Sequence, residues 1–541
     1  MNFEVKERDL LARIGKLRTK SGTVETPLLF PVVNPTVQPI QPKRIREEFG
    51  FEAIITNAYI LKKRFKDEPV NKGLHKFLDF NGVIMTDSGA YQILIYGDVE
   101  ISPEEIVAYQ EQINADIATI LDWPTGWKAT RKHAERTVEE TLKRAKQLFQ
   151  IRTRDDILWV GPIQGGRYLD LVAKSASEMG ALPFQIYALG SPTEVMENYR
   201  FDVLVDMILT AKINIPIEKP FHLFGAGHPF MFALAVALGC DFFDSAAYAI
   251  YAKQDRYMTE TGTARLDELE YFPCQCPSCS GKTPKEVSER SSIERQVFLA
   301  EHNLYACLTE IKRIKQAIKE GRLWEHLELR AHGHPALLQA LRKLRKYEKF
   351  IERYSPLVKP SGIFFFSSVG LSRPEVVRHK IRISERFTPT GGILILMPQT
   401  KTKPFHRSKL YKKLAKALRN IKEREMTKIQ VCFYEAPFGV VPIELDEVYP
   451  LSQHETVLPP DLDTVEYVAD QTANHIGQGN YKAVVFLNNS EVWGEKVLEA
   501  CRKVCHERKI VFKCFDIKMD WPNLIADFLK NLGKREENLA D

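Results

Sequence analysis

The chain has 541 residues, 44% of them hydrophobic, with 76 Lys+Arg against 70 Asp+Glu. That length predicts several domains, and the ordinary composition excludes disordered, collagen-like and coiled-coil classes. The net charge of +6 is unevenly laid out: residues 1–300 carry 36 basic and 40 acidic groups, 301–430 carry 29 and 11, and 431–541 carry 11 and 19. So basic a middle points to nucleic acid as a partner. The longest apolar run, Phe230 to Cys240, has 11 residues, whereas a membrane helix needs about 20. The start of the chain is charged and lacks an apolar signal core. We therefore expect a cytoplasmic protein.

Taken in chain order, eight β-rich runs occupy the first 250 residues: 27–33, 53–56, 83–86, 117–121, 158–163, 184–189, 221–224 and 241–243. Most are continuously apolar, as parallel strands buried on both faces should be. Amphipathic stretches lie between them, at 103–115, 133–149 and 193–210. Eight βα units predict a (β/α)8 TIM barrel, with an open doubly wound sheet as the competing α/β fold. Polar and glycine residues follow seven of the runs: Asn57, Asp87, Asp122, Gln164, Gly190, Gly225 and Asp244. They gather at the carboxyl ends of the strands, where barrels hold their active sites.

The barrel with its metal-binding subdomain (about 270–305) is expected to span 1–355. A charged helix is expected near Glu286–Arg322, and Pro356, Pro360 and Gly362 mark a boundary. Two small α+β accessory domains follow. A basic one covers 356–430, with a helix at Lys409–Glu423, and a second covers 431–541.

Cys274, Cys276 and Cys279 form C-x-C-x2-C, and His302 lies downstream on the helical stretch. Three thiolates and an imidazole make the closed tetrahedral set of a structural Zn2+ site. His326, His332 and His334 are further imidazoles in reach of the same sequence argument.

Asp87 and Asp244 each close a strand and precede small residues. Two carboxylates in one pocket suit glycosyl transfer, one attacking the anomeric carbon and the other shuttling protons. Each can equally be a turn or N-cap residue. Asp122, Gln164 and Gly190 form a second polar group, with Ser88 beside it and Tyr91 as a stacking face. Residue type alone takes these to a polar pocket with flat aromatic neighbours.

The segments MTDSGAYQ (85–92), ILDWPTG (120–126), IQGGRYLDL (163–171), YALGSP (187–192), HLFGAGHP (222–229), DFFDSAAYA (241–249) and CQCPSC (274–279) occur in one order over about 300 residues. Together they resemble the tRNA-guanine transglycosylase family, in its archaeal branch. The resemblance implies a catalytic barrel with structural zinc. It implies that Asp244 attacks C1′ of a tRNA guanosine, leaving a covalent ribosyl-enzyme. It makes Asp87 the general acid/base and Ser88, Tyr91, Asp122, Gln164 and Gly190 the base-binding set. Archaeal members exchange guanine at position 15 of the D-loop for 7-cyano-7-deazaguanine (preQ0), on the way to archaeosine, and are commonly homodimers.

Archaeal relatives usually end in an RNA-binding PUA domain, and the last 110 residues lack its Gly-rich β pattern. The expectation is a chain without that domain, gripping tRNA through its own basic block or through a separate PUA-type protein. Lys409, Lys412 and Lys416 are the candidate phosphate contacts. Two other readings stand beside this one. In an archaeosine synthase-like paralogue, the motif P-C-x3-K-P-Y-x2-S-x2-H would appear. Here Gln399, Phe405 and Tyr411 replace its Cys, Tyr and His. A non-catalytic tRNA-binding relative would not need both aspartates.

Overall fold

The computed structural model describes residues 2–90, 101–389, 391–419, 421 and 429–540, with side chains to 532. They divide into two compact units, Met1–Phe350 with Tyr354–Pro356, and Ile351–Arg353 with Leu357–Asp541.

Eight parallel strands close a barrel in the first unit: Leu28–Val33, Ala53–Asn57, Val83–Asp87, Ile117–Thr119, Leu158–Ile163, Ile186–Leu189, Phe221–Leu223 and Phe242–Ser245. The eighth strand pairs with the first, Phe242 opposite Leu28, so the sheet has no edge and the open doubly wound alternative falls. Alternate residues point inward, and Leu28, Phe30, Ala53, Ile55, Val83, Met85, Leu158 and Val160 share one buried cluster. The intervening residues, such as Ile54, Ile84 and Trp159, are buried as well. Burial on both faces is why these strands read as unbroken apolar runs.

Three antiparallel strands precede the barrel, Phe3–Asp9, Ala12–Arg18 and Thr23–Glu25. Their Phe3, Leu17 and Val24 join the inner cluster beside Leu28, Ala53 and Val83, the first residues of their strands. This small sheet plugs the amino-terminal end of the barrel and leaves the carboxyl end for chemistry.

Surrounding helices follow the amphipathic pattern. Arg131–Ile151 buries Ala134, Val138, Leu142, Ala145 and Leu148 at three- and four-residue spacing. The apolar run at Phe230 forms helix Pro229–Ala237, buried on every side. The single segment expected over 193–210 is instead two helices, Thr193–Glu197 and Phe201–Ile213. Tyr199 between them has φ of 54°, a left-handed conformation that no helix can run through. Helix Ser292–Glu320 opens with the reciprocal Ser291/Glu294 capping box and stops at Gly321, where φ is 69°.

The second unit holds one five-stranded sheet in the order Gly439–Pro442, Ile429–Glu435, Ile393–Pro398, Ala483–Asn488, Val511–Asp516. Strand Ile393–Pro398 pairs in parallel with Ile429–Glu435 on one side and Ala483–Asn488 on the other. The two α+β domains expected on either side of residue 430 are therefore one α/β unit. Side-chain alternation gives the reason. Ile395 and Met397 enter a core with Leu414 and Trp521, while Leu394 and Leu396 enter another with Val468 and Leu498. The helices of 356–430 reach only the first of these cores, and the second is covered by helices that all come from 431–541. The basic helix runs Lys409–Leu418; residues 420, 422 and 423 of its expected continuation lie outside the described residues.

Candidate active site and metal centre

The carboxyl end of the barrel opens into a cavity of about 780 Å³, lined among others by Asp87, Asp122, Gln164, Gly190 and Asp244. The barrel thus brings together, from five different strands or their ends, residues up to 157 positions apart in sequence.

Asp87 is the last residue of the third barrel strand. Its Oδ2 accepts from Asn57 Nδ2 at 3.0 Å. Asn57 is held in turn, because its Oδ1 caps helix Ala58–Phe65 by accepting from Ile60 N–H at 2.9 Å. Burial, reinforced by the nearby Asp122 and Asp244, pushes the Asp87 carboxyl up to about 7. It therefore holds a proton near neutrality and can release it on demand. Ser88 beside it is fully buried, and its hydroxyl has no hydrogen-bond partner among the described residues. An orphaned hydroxyl of this kind suits a polar ligand. Tyr91, the expected stacking face, lies outside the described residues.

Asp244 sits in the eighth strand and is fastened through one oxygen. Oδ1 contacts His222 Nε2 at 2.8 Å and accepts from Gly225 N–H at 3.0 Å. Gly225 follows the seventh strand with φ of 68°, a turn that aims its N–H back at the next strand. His222 lies in that seventh strand and pairs with Phe242, two residues before Asp244 and so on the same face.

Asp122, Gln164 and Gly190 form a second wall. Gln164 Nε2 donates to Asp122 Oδ2 at 2.5 Å. Gln164 Oε1 accepts from Thr125 N–H at 3.0 Å, Thr125 Oγ1 at 3.0 Å and Ser191 Oγ at 3.1 Å. The amide is thus locked in one orientation. Burial raises the Asp122 carboxyl to about 6 against the opposing bond from Gln164. Gly190 is the spacer: a Cβ there would stand 2.1 Å from Gln164 Nε2.

Behind this site, Cys274, Cys276, Cys279 and His302 place their ligand atoms within 4.8 Å of one another. His302 turns Nδ1 toward the thiols, 3.6 Å from Cys276 Sγ and 3.4 Å from Cys279 Sγ. A tetrahedral metal with arms of about 2.3 Å puts its ligands about 3.8 Å apart, so the cluster has the size for one ion. His302 Nε2 donates to Met258 O at 2.8 Å, which leaves Nδ1 unprotonated for a metal. Tyr257 stacks on the imidazole with centroids 3.5 Å apart. The competing imidazoles are engaged elsewhere: His326 on Glu310, His332 on its own helix carbonyl, His334 as a helix cap. These four residues can hold a metal ion.

Residues 9–336 match the family described as Queuine tRNA-ribosyltransferase, and 376–520 match a domain of unknown function, DUF5591. The chain belongs to the queuine tRNA-ribosyltransferase family. It is 45% identical to the tRNA-guanine(15) transglycosylase of Methanocaldococcus jannaschii over 464 residues, covering 84% of this chain and 68% of that protein. It is 41% identical over 498 residues to the Sulfolobus acidocaldarius protein of the same name, covering 91% and 96%. The Pyrobaculum aerophilum protein of that name is 45% identical over 460 residues, covering 84% and 90%.

Four residues hold the site together that sequence reasoning left without a role. They are Asn57 on Asp87, His222 on Asp244, and Thr125 and Ser191 on Gln164. His222 left a trace, as the one polar residue in the run FHLF. Thr125 and Ser191 left none, since turn positions are usually polar. Lys409, Lys412 and Lys416 are exposed on their helix in the second unit. No helix among the described residues is long and apolar enough to cross a membrane.

Proposed function

We propose that this protein is a tRNA-guanine(15) transglycosylase, exchanging guanine for 7-cyano-7-deazaguanine through a ribosyl-aspartate intermediate in cytoplasmic archaeosine biosynthesis. The observation that carries the reading is the unequal fitting of two carboxyls in one cavity. Asp87 keeps its proton near neutrality, and among the described residues Asp244 is tethered through Oδ1 alone. The names of the relatives support position 15.

The chemistry then divides into two displacements. Asp244 forms a bond to C1′, the C1′–N9 bond breaks, and its electron pair leaves with guanine. Asp87 supplies the proton that neutralises the departing ring. The incoming base then gives its N9 proton to Asp87 and attacks C1′ through N9. The C1′–O bond returns its pair to the Asp244 carboxylate. Two inversions leave the sugar with its original configuration. Asp122 and the remaining N–H of Gln164 offer an acceptor and a donor to the guanine edge, with Ser88 beside them.

Three thiolates with one imidazole favour zinc in the Cys274/Cys276/Cys279/His302 set. With four protein ligands no coordination position is left for substrate, so zinc there would supply stability and not chemistry. Lys409, Lys412 and Lys416 would meet tRNA phosphates.

Labelled guanine offered with tRNA tests the reading. Wild-type protein should incorporate it at position 15, displace it with 7-cyano-7-deazaguanine, and form an RNA adduct that survives denaturation. Asp244→Asn should do none of these. Normal exchange by Asp244→Asn would remove Asp244 as nucleophile, and incorporation at another position would overturn the site assignment.

A further inference from the structure

We propose that His222 is a positioning residue that presents Asp244 so that Oδ2 is the attacking atom. This rests on the transglycosylase reading above. Both protein donors on Asp244, His222 Nε2 and Gly225 N–H, are bonded to Oδ1. Among the described residues, no donor is bonded to Oδ2. The second oxygen keeps its lone pairs for carbon.

The imidazole cannot swing away. It is 1% exposed and packed against Phe224 with centroids 4.6 Å apart, Phe30 at 5.9 Å and Phe242 at 6.3 Å. The parallel ladder fixes the two side chains on one face, because His222 pairs with Phe242 and Asp244 lies two residues further along. A free carboxylate has two equivalent oxygens and turns about its Cβ–Cγ bond. Two donors on one oxygen remove that freedom before the substrate arrives.

The same contacts serve both halves of the exchange. When the Oδ2–C1′ bond forms and C1′–N9 breaks, Oδ1 becomes the carbonyl oxygen of the ester and keeps both donors. When the incoming base attacks C1′ and the C1′–Oδ2 bond breaks, the pair spreads onto Oδ1. Two prepositioned N–H groups already point there. His222 touches neither base nor sugar in this scheme and acts through Asp244.

Single-turnover and steady-state guanine exchange in His222→Phe, His222→Gln and His222→Asn test this. The phenylalanine removes the donor, and kcat should fall about 10²-fold, the cost typical of a misplaced reacting group, with KM for tRNA unchanged. Glutamine can place an amide N–H where Nε2 stood, and should recover most of the loss. Asparagine is too short to do so and should resemble phenylalanine. If the phenylalanine variant does not fold, the glutamine–asparagine contrast decides alone. A kcat at the wild-type level in His222→Phe, or equal rates for glutamine and asparagine variants that melt like wild type, would overturn the role. Absence of exchange by the wild-type protein would instead overturn the reading on which it rests.

Discussion

Replacing Gly190 by alanine adds one methyl group, and the structure leaves no room for it. The new Cβ would stand 2.1 Å from Gln164 Nε2, 2.7 Å from its Cδ and 3.1 Å from Ile163 O, where ordinary contacts begin at 3.4 Å. Gln164 must retreat by more than about 1 Å. A side-chain terminus usually yields at low cost, but this one is 1% exposed and bonded to Thr125, Ser191 and Asp122. Each such bond contributes about 0.5–1.5 kcal/mol, more for the one to a carboxylate. Breaking two of them costs about 1–3 kcal/mol, and moving the base-reading wall by about 1 Å costs about 10²-fold in rate, or about 2.7 kcal/mol. We expect kcat/KM for guanine exchange to fall about 10²-fold in Gly190→Ala, with the melting temperature lower by a few degrees at most. Steady-state exchange with labelled guanine measures it. An alanine variant that exchanges at the wild-type rate would show that Gln164 does not set the geometry of the base wall.

Three further outcomes are expected. Asp87, at about 7 in the folded protein against an ordinary 3.8, should make guanine release in a single turnover fall about tenfold per pH unit above about 7. Because the folded form holds this proton and the unfolded chain does not, the group's contribution to stability declines as pH rises from about 4 to about 7. Asp87→Asn should therefore melt higher than wild type at pH 8, while losing exchange; a lower melting temperature there would contradict the burial argument. Cys276→Ser, or a chelator, should remove about one metal ion per chain and lower the melting temperature of the barrel, measured by elemental analysis and calorimetry; a metal-free protein of wild-type stability would refute the site. Reversing Lys409, Lys412 and Lys416 to glutamate should weaken tRNA binding and make the slope of log affinity against log salt shallower by about 2–3. An unchanged slope would return that helix to a solvated face.

The barrel was legible because its strands are buried on both sides, so each leaves an unbroken apolar run such as AIIT or VIMT. Helix Pro229–Ala237 showed only as an apolar run with no helical period, since burial all round erases amphipathicity. The cysteine cluster was legible because three thiols close in sequence need no fold to bring them together. His302 needed the helix, and the placement of its Nδ1 beside the thiols separates it from the other imidazoles. The first strands were hidden because residues such as Lys6, Glu7 and Arg8 give no apolar run. The role of His222 was hidden for the opposite reason: a histidine between phenylalanine and leucine reads as core until its neighbour across the ladder is known. The break at Tyr199 carries no glycine or proline to announce it.

The sheet of the second unit constrains how the chain can be divided. Strand Ile393–Pro398 lies between two neighbours that both come after it in sequence. A polypeptide ending at residue 430 would present this apolar strand with almost nothing on either side. Its free N–H and C=O groups would be templates for other chains. Trimming from the carboxyl end thus does not shed an independent module; it unseals the unit from the middle. Inheritance faces the same limit. Recombination can add or exchange Leu357–Asp541 as a block, but a crossover near residue 430 would have to import both neighbours of the central strand together.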